Sequence, residues 1–182
     1  MKKQFSLTLM LALCAAVAMA NCSNPNGNKA TTGSVATEQQ AQQQNEQKEM
    51  APDFTLTDID GKSFTLSSLR GKIVVIDFWG SWCGWCIKGM PDMKKYYEKY
   101  KGKLEIVGVD CGDTDATWKA AVKKYELPWK HVYNPKGMGD ITGLYEIQGF
   151  PTKIIVGKEG EVLKVVIGED PEFYTALDEI MK

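Results

Sequence analysis

Seven segments after residue 50 carry the hydrophobic pattern of β-strands. They are 54–57, 63–66, 73–79, 104–110, 130–133, 152–157 and 162–167. The first two and the last two are pairs that flank short glycine-containing turns, which predicts a hairpin at each end of this region. The runs 73–79 and 104–110 are almost entirely apolar, which is typical of strands buried on both faces.

Four segments follow the helical period instead, and they lie between or after these strands. They are 84–101, 114–125, 139–145 and 171–181. Thr114 and Asp170 precede the second and fourth of them and are expected to cap those helices. Because strands alternate with helices in the middle and hairpins occur at both ends, we predict an α/β fold. Its mixed central sheet would carry helices on both faces.

The first 49 residues have a different composition. Residues 1–20 combine two early lysines, an apolar run and Ala18-Met19-Ala20, which together predict a secretory signal peptide. Residues 21–49 are rich in Gln, Asn and Thr and offer little apolar surface to bury, which predicts a flexible polar tether. We therefore expect a folded domain over 50–182 in an extracytoplasmic, periplasmic location.

Cys22 leaves two interpretations of the N-terminus open. A cysteine shortly after an apolar run resembles the start of a bacterial lipoprotein, and a lipid on Cys22 would tether the domain to a membrane. Asn21 stands where such signals usually carry a small residue, so plain secretion with cleavage after Ala20 also fits.

Composition and charge exclude several classes of function. The 182 residues carry a net charge of −1, so there is no basic field to attract nucleic acid. The sequence contains no flavin or nicotinamide fingerprint, and we expect no cofactor. One Cys-x-x-Cys pair supplies two of the four ligands of a structural zinc site, and the single histidine, His131, is distant in sequence. We expect no metal.

The cysteines Cys83 and Cys86 follow the apolar run 73–79 and open the first predicted helix. At a helix N-terminus, unpaired N–H groups and the helix dipole favour an anion, here the thiolate that attacks disulfides. A thiol one turn later can attack the resulting mixed disulfide and release the partner. We therefore predict Cys83 as the nucleophile, Cys86 as the resolving thiol, and a redox-active disulfide between them.

Asp77 is a carboxylate within the apolar run that leads to these cysteines. Burial of a carboxylate is costly, and desolvation should raise its pKa, so that it can transfer a proton during exchange. The alternative is a strand-end aspartate satisfied by backbone donors.

Trp82 and Trp85 flank Cys83 and serve either as contacts for a docking polypeptide or as core packing. Cys111 is either a buried structural thiol or a regulatory one.

Two groups of residues resemble a known family. The stretch IDFWGSWCGWC at 76–86, followed by Gly149-Phe150-Pro151-Thr152, resembles the thioredoxin superfamily. The lead-in APDFTL at 51–56, with LSSLRGK at 66–72 and Met90-Pro91, resembles its TlpA/ResA-like extracytoplasmic branch. The resemblance implies a thioredoxin-like fold with an N-terminal β-hairpin extension and thiol–disulfide exchange activity.

The resemblance also implies that Pro151 is a cis-proline lying against the cysteines, where neighbouring backbone pairs with a substrate strand. Together with the two tryptophans that flank Cys83, this gives the expected substrate-binding residues: Trp82, Gly84, Trp85, Phe150, Pro151 and Thr152.

Three departures from the family pattern affect the chemistry. Gly84-Trp85 stands between the cysteines where thioredoxins usually have Gly-Pro, so a redox potential cannot be transferred. Gly89 occupies the place, three residues after the second cysteine, where ResA-like proteins often carry a glutamate. The lysine that pairs with the strand acid in thioredoxins is missing from 107–110.

These observations predict a disulfide reductase that acts on client proteins with disulfides or cysteines, cytochrome maturation being one such use in this branch. Since no electron-carrying cofactor is expected, a membrane thiol donor would reduce it. The alternatives are a disulfide-forming oxidase or isomerase, and a thiol peroxidase. Peroxiredoxins share the lead-in at 51–54, but they place a threonine three residues before the reactive cysteine, where this chain has Gly80.

Overall fold

A computed structural model of the protein describes residues 48–135 and 141–182. The predicted signal peptide, Cys22 and the tether up to residue 47 lie outside the described residues. The strands are β1 Thr55–Asp58, β2 Ser63–Thr65, β3 Ile73–Trp79, β4 Leu104–Cys111, β5 Lys130–Asn134, β6 Thr152–Val156 and β7 Val162–Ile167. The α-helices are α1 Gly84–Lys99, α2 Asp115–Lys124, α3 Ile141–Leu144 and α4 Glu172–Ile180, and a 3-10 helix spans Leu66–Leu69.

The seven strands form one mixed sheet in the order β2-β1-β5-β4-β3-β6-β7. Strands β3, β4 and β5 are parallel neighbours, whereas the remaining pairings are antiparallel. The hairpin β1–β2 extends the sheet by pairing β1 with β5. The predicted mixed sheet and its N-terminal hairpin extension are therefore confirmed.

The helices cover both faces of the sheet, but unequally. Helices α1, α2 and α4 pack on one face, where their buried residues form a single core cluster with alternate residues of β3 and β4. The other face is covered by the hairpin, the 3-10 helix and α3. The two parallel crossovers proceed in the same direction across the sheet, so right-handed connections place α1 and α2 on the same face.

One strand end differs from the sequence prediction, and the two residues expected to cap helices both accept backbone N–H groups. Leu66, expected to end a strand, is buried and begins the 3-10 helix. The Thr114 side chain accepts the Thr117 N–H at 3.2 Å and caps α2 as predicted. The Asp170 carboxylate accepts the Glu172 N–H at 2.8 Å, which satisfies one free donor in the first turn of α4. No helix in the described part of the chain is long and apolar enough to cross a membrane.

Candidate active site

The two cysteines of the motif form a disulfide at the start of α1. Cys83 is the N-cap residue, and its Sγ accepts the Cys86 N–H at 3.1 Å. The Cα atoms are 5.3 Å apart, and only about one-twentieth of each residue is exposed, 5 % for Cys83 and 6 % for Cys86. The helix therefore supplies a backbone donor to the sulfur that was predicted to be the nucleophile, and donation of this kind stabilises a thiolate.

Trp82 and Trp85 stand beside this disulfide, with 55 % and 61 % of their surface exposed. The alternative that they pack in the core is therefore wrong. Trp82 is held in place, because its Nε1–H donates to the Cys111 carbonyl at 2.9 Å and its ring meets Phe150 edge-on, with 5.1 Å between centroids. The Trp85 ring lies under the Lys88 ammonium at 4.6 Å. The two indoles thus form an apolar rim around the buried cysteines.

The loop before β6 adjoins this rim at Trp82. The Phe150–Pro151 peptide bond is cis. The Pro151 carbonyl accepts the Gly168 N–H at 2.7 Å, and the Thr152 hydroxyl donates to the Gly149 carbonyl at 2.7 Å. Through the contact between Phe150 and Trp82, this loop is joined to the redox turn.

The loop after β4 anchors the redox turn from a third side. The Asp113 carboxylate accepts hydrogen bonds from both the N–H and the hydroxyl of Ser81, each at 2.7 Å. Asp110 is fully buried, and burial, reinforced by Asp113, raises its pKa to about 8. Cys111 forms no disulfide with any described residue and is fully buried, and burial raises its pKa, which keeps it a protonated thiol. This burial agrees with the structural interpretation of Cys111.

Asp77 lies in the middle of β3 with 7 % of its surface exposed. Side chains alternate along a strand, so Asp77 faces the same side as Val75 and Trp79, which pack in one cluster with Cys83 and Cys86. Burial is the main cause that raises the Asp77 pKa to about 6. None of the described residues donates a hydrogen bond to its buried Oδ1, so the alternative of a carboxylate satisfied by backbone donors is wrong.

Two charged residues near Asp77 were missed by the sequence reasoning. Lys153 on β6 is directly opposite Asp77 in the antiparallel register and is 2 % exposed. Its Nζ pairs with the Glu169 carboxylate at 2.6 Å. A lysine just before the apolar Ile154–Val156 run carries the same signal as Asp77, a charge in a buried strand. Glu169 lies between β7 and α4, and no local pattern marked it.

No group of three or more His, Cys, Asp or Glu side chains within 48–135 and 141–182 is arranged to hold a metal ion. His131 is buried on β5, and burial lowers its pKa to about 3, so the imidazole is neutral.

A family model described as the AhpC/TSA family matches residues 48–165. The chain belongs to the AhpC/TSA family. Among curated proteins it is similar to the thiol-disulfide oxidoreductase ResA of Bacillus anthracis, with 42 % identity over 120 residues, or 65 % of this chain and 68 % of that protein. ResA of Bacillus subtilis (strain 168) is 35 % identical over 119 residues, 65 % of each chain.

A solved structure gives the same result for the fold. The thioredoxin domain of a thiol-disulfide oxidoreductase from Bacteroides vulgatus superposes with a TM-score of 0.68 at 29 % identity, covering 74 % of this chain and 97 % of that one. The resemblance to the thioredoxin superfamily and its ResA-like branch is thus confirmed, and the protein is a thiol–disulfide oxidoreductase.

Proposed function

We propose that this oxidoreductase is an extracytoplasmic reductase of disulfides in client proteins. The observation that carries the proposal is the placement of the Cys83 sulfur. It sits at the helix N-cap, accepts the Cys86 N–H at 3.1 Å, and is ringed by exposed indoles above a buried carboxylate. The clients, the donor and the cellular location belong to the proposal as well.

The exchange would proceed in two balanced steps. The Cys83 thiolate attacks one sulfur of the client disulfide, which forms a mixed disulfide and releases the other client sulfur as a thiolate. Asp77 then accepts the proton of Cys86, whose sulfur attacks Cys83 and releases the second client thiolate. The client has gained two electrons, and the protein has become the Cys83–Cys86 disulfide. A membrane thiol donor would return two electrons to that disulfide.

The charges around the dithiol support the direction of reduction. A couple is oxidising when its reduced, thiolate-containing form is strongly stabilised. In the described residues the Cys83 sulfur receives one hydrogen bond, from a backbone amide, and no cationic side chain pairs with it. A buried acid on the same side, Asp77, disfavours additional negative charge on the thiols. Both features support a reducing couple.

The rim supplies the surface that a client would contact. Trp82 and Trp85 offer exposed apolar area, and Gly84 between the cysteines is exposed, so a polypeptide could approach closely. Phe150, Pro151 and Thr152 would present backbone to an extended client segment on the other side of the disulfide.

The N-terminal sequence supports a location outside the cytoplasm. A signal peptide over 1–20 and a polar tether over 21–49 would release the domain into the periplasm. Lipidation at Cys22 would keep it near a membrane donor. Client proteins in cytochrome maturation fit this setting, because their cysteines must be reduced outside the cytoplasm.

Two other functions remain as alternatives. The amide donor at the helix N-cap also suits a disulfide-forming oxidase or isomerase, because it stabilises the thiolate. A thiol peroxidase is disfavoured by Gly80: a threonine at this position would require the Trp82 indole to move from its place beside the redox turn.

The reduction potential of the Cys83–Cys86 couple tests the proposal. The protein is equilibrated in glutathione buffers, and fluorescence of the adjacent tryptophans reports its redox state. We expect a potential of roughly −270 mV, as in thioredoxin, whereas a value of about −120 mV would make the protein an oxidase. Cys111→Ser is the matched control and should leave the potential unchanged, since that thiol is buried and unpaired.

A further inference from the structure

Three polar residues and one glycine form a row of directly opposite positions across the buried face of the sheet under α1 and α4. Lys153 on β6 pairs with Asp77 on β3, Asp77 with Gly108 on β4, and Gly108 with His131 on β5. Residues directly opposite in an antiparallel pair have Cβ atoms about 4.5–5.5 Å apart. The register therefore places the side chains of Lys153 and Asp77 next to each other on the face of the sheet that α1 and α4 cover.

The Lys153 ammonium is held on its other side by Glu169. The Nζ–Oε2 distance is 2.6 Å, and the Tyr174 hydroxyl donates to Glu169 Oε1 at 3.0 Å. The same ammonium lies 5.5 Å from the centre of the Phe173 ring. Glu169 thus has a partner on each carboxylate oxygen, and a buried ion pair satisfied in this way has a fixed geometry.

Gly89 makes the room that Glu169 occupies. It lies on α1, three residues and so nearly one turn after Cys86, on the same side of the helix. A Cβ at this position would collide with the Glu169 carboxylate. The Tyr174 hydroxyl also lies 3.4 Å from the Gly89 carbonyl. The ion pair is therefore wedged between the sheet and the helix that carries the resolving cysteine.

We propose that Lys153 and Glu169 are positioning residues for proton transfer at Cys86. Lys153 provides the counter-charge for Asp77 from β6, and Glu169 fixes that ammonium and offsets part of its field. The proposal rests on the proton-transfer role of Asp77 in the proposed function. In thioredoxins a lysine pairs with the strand acid, and this chain has no lysine within 107–110. The proposal assigns the role of that lysine to Lys153 on β6.

The other titratable groups around Asp77 do not compete for this role. On the same face of the sheet they are Cys86 on α1, Tyr174 on α4, Asp110 on β4 and His131 on β5, whereas Cys111 lies on the opposite face of β4. Burial raises the pKa of Asp110 to about 8 and also raises the pKa of Tyr174 and of Cys111, so all three are protonated at neutral pH, and burial keeps His131 neutral. Lys153 and Glu169 are therefore the charges that act on Asp77.

The two partners act on Asp77 in opposite directions, and this gives the proposal a specific signature. The Lys153 charge lowers the Asp77 pKa, and the Glu169 charge raises it. If the ion pair served only to hold β6 and α4 together, removal of either partner would break the same contact and have the same kind of effect. Opposite displacements of one titration cannot come from a merely structural role.

The experiment follows the Asp77 carboxyl carbon by NMR titration in the oxidised protein, with Asp77→Asn assigning the signal. Lys153→Met should raise the proton affinity of Asp77 about tenfold or more, as expected for loss of a close opposite charge, and Glu169→Gln should lower it. Lys164→Met removes an exposed partner of Glu172 and is the control that should move nothing. Lys153→Arg keeps the charge, so Asp77 should titrate in this variant as it does in the wild type. This comparison tests the role of the charge if Lys153→Met fails to fold.

The pH profile of insulin disulfide reduction is measured on the same variants, and its midpoint should follow the titration. Shifts in the same direction for Lys153→Met and Glu169→Gln, or no shift in either, would overturn the proposal. So would a pH profile that stays fixed while the carboxyl signal moves. The midpoint does not depend on the direction of net electron transfer. A potential near the oxidant end would therefore overturn the reductase proposal and leave this one standing.

Discussion

Replacement of Asp77 by asparagine is expected to change how the free energy of unfolding depends on pH. The substitution keeps the shape of the side chain and removes its charge. Asp77 is 7 % exposed, and burial raises its pKa from the ordinary value of 3.8 to about 6. The folded protein therefore binds this proton more tightly than the unfolded chain does.

The sign and the size of the effect follow from this difference. A raised carboxyl pKa contributes stability that is complete below about pH 4 and is lost as the pH rises through about 6. A pKa difference of this size corresponds to about 3 kcal/mol. Asp77→Asn has no such loss, so its stability relative to the wild type should increase by about 3 kcal/mol between pH 4 and pH 7.5.

Urea unfolding of the oxidised proteins at several pH values, followed by tryptophan fluorescence, measures this difference. In the oxidised state Cys83 and Cys86 cannot titrate, and Asp110 contributes equally to both proteins. Asp92→Asn, on the exposed side of α1, is the control and should run parallel to the wild type. Parallel curves for Asp77→Asn as well would show that the carboxylate is ionised without cost, and the argument for its proton-transfer role would fail.

Four further variants test the dithiol, the space beside α1 and the rim. Cys86→Ser should accumulate mixed disulfides with client proteins on non-reducing gels, whereas Cys83→Ser should form none; full activity in either would contradict the two-step exchange. Gly89→Ala should lower the free energy of unfolding by about 1–3 kcal/mol in urea, because its Cβ collides with the pinned Glu169 carboxylate. A gain of about 1 kcal/mol, the ordinary helix preference of alanine, would mean that Glu169 moves freely. Trp82→Ala should raise KM for a protein disulfide about tenfold and leave reduction of a small disulfide unchanged; equal losses on both substrates would place Trp82 in the architecture of the turn.

Local patterns were sufficient to predict most of the fold. The continuous apolar runs identified β3 and β4 because strands covered by helices on one face and by other elements on the opposite face have no solvent side. The cap at Thr114 was predictable because it depends on two residues three positions apart. The order of the strands was not, because the position of β5 between β1 and β4 depends on pairings more than 20 residues apart in sequence.

The candidate site was predictable where its residues are neighbours in sequence. Cys83, Cys86 and Asp77 lie within ten positions, and their chemistry follows from one strand that leads into one helix. Lys153 and Glu169 come from β6 and from the connection before α4. Their relation to Asp77 appears only when the sheet register and the packing of α1 are known. The family pattern predicts a lysine on β4, which is parallel to β3, whereas the buried lysine opposite Asp77 lies on the antiparallel neighbour β6.

Two departures from the family pattern meet in the space beside α1. They are the absence of a lysine from β4 and the glycine at position 89. Members of the ResA-like branch often carry a glutamate three residues after the second cysteine, and here the glycine at that position leaves a gap. The gap is filled by the carboxylate of Glu169, which brings the charge from another element and pairs with Lys153. Gly89, Lys153 and Glu169 therefore depend on one another, since a side chain at Gly89 would displace Glu169, and loss of Glu169 would leave the buried Lys153 to act on Asp77 alone.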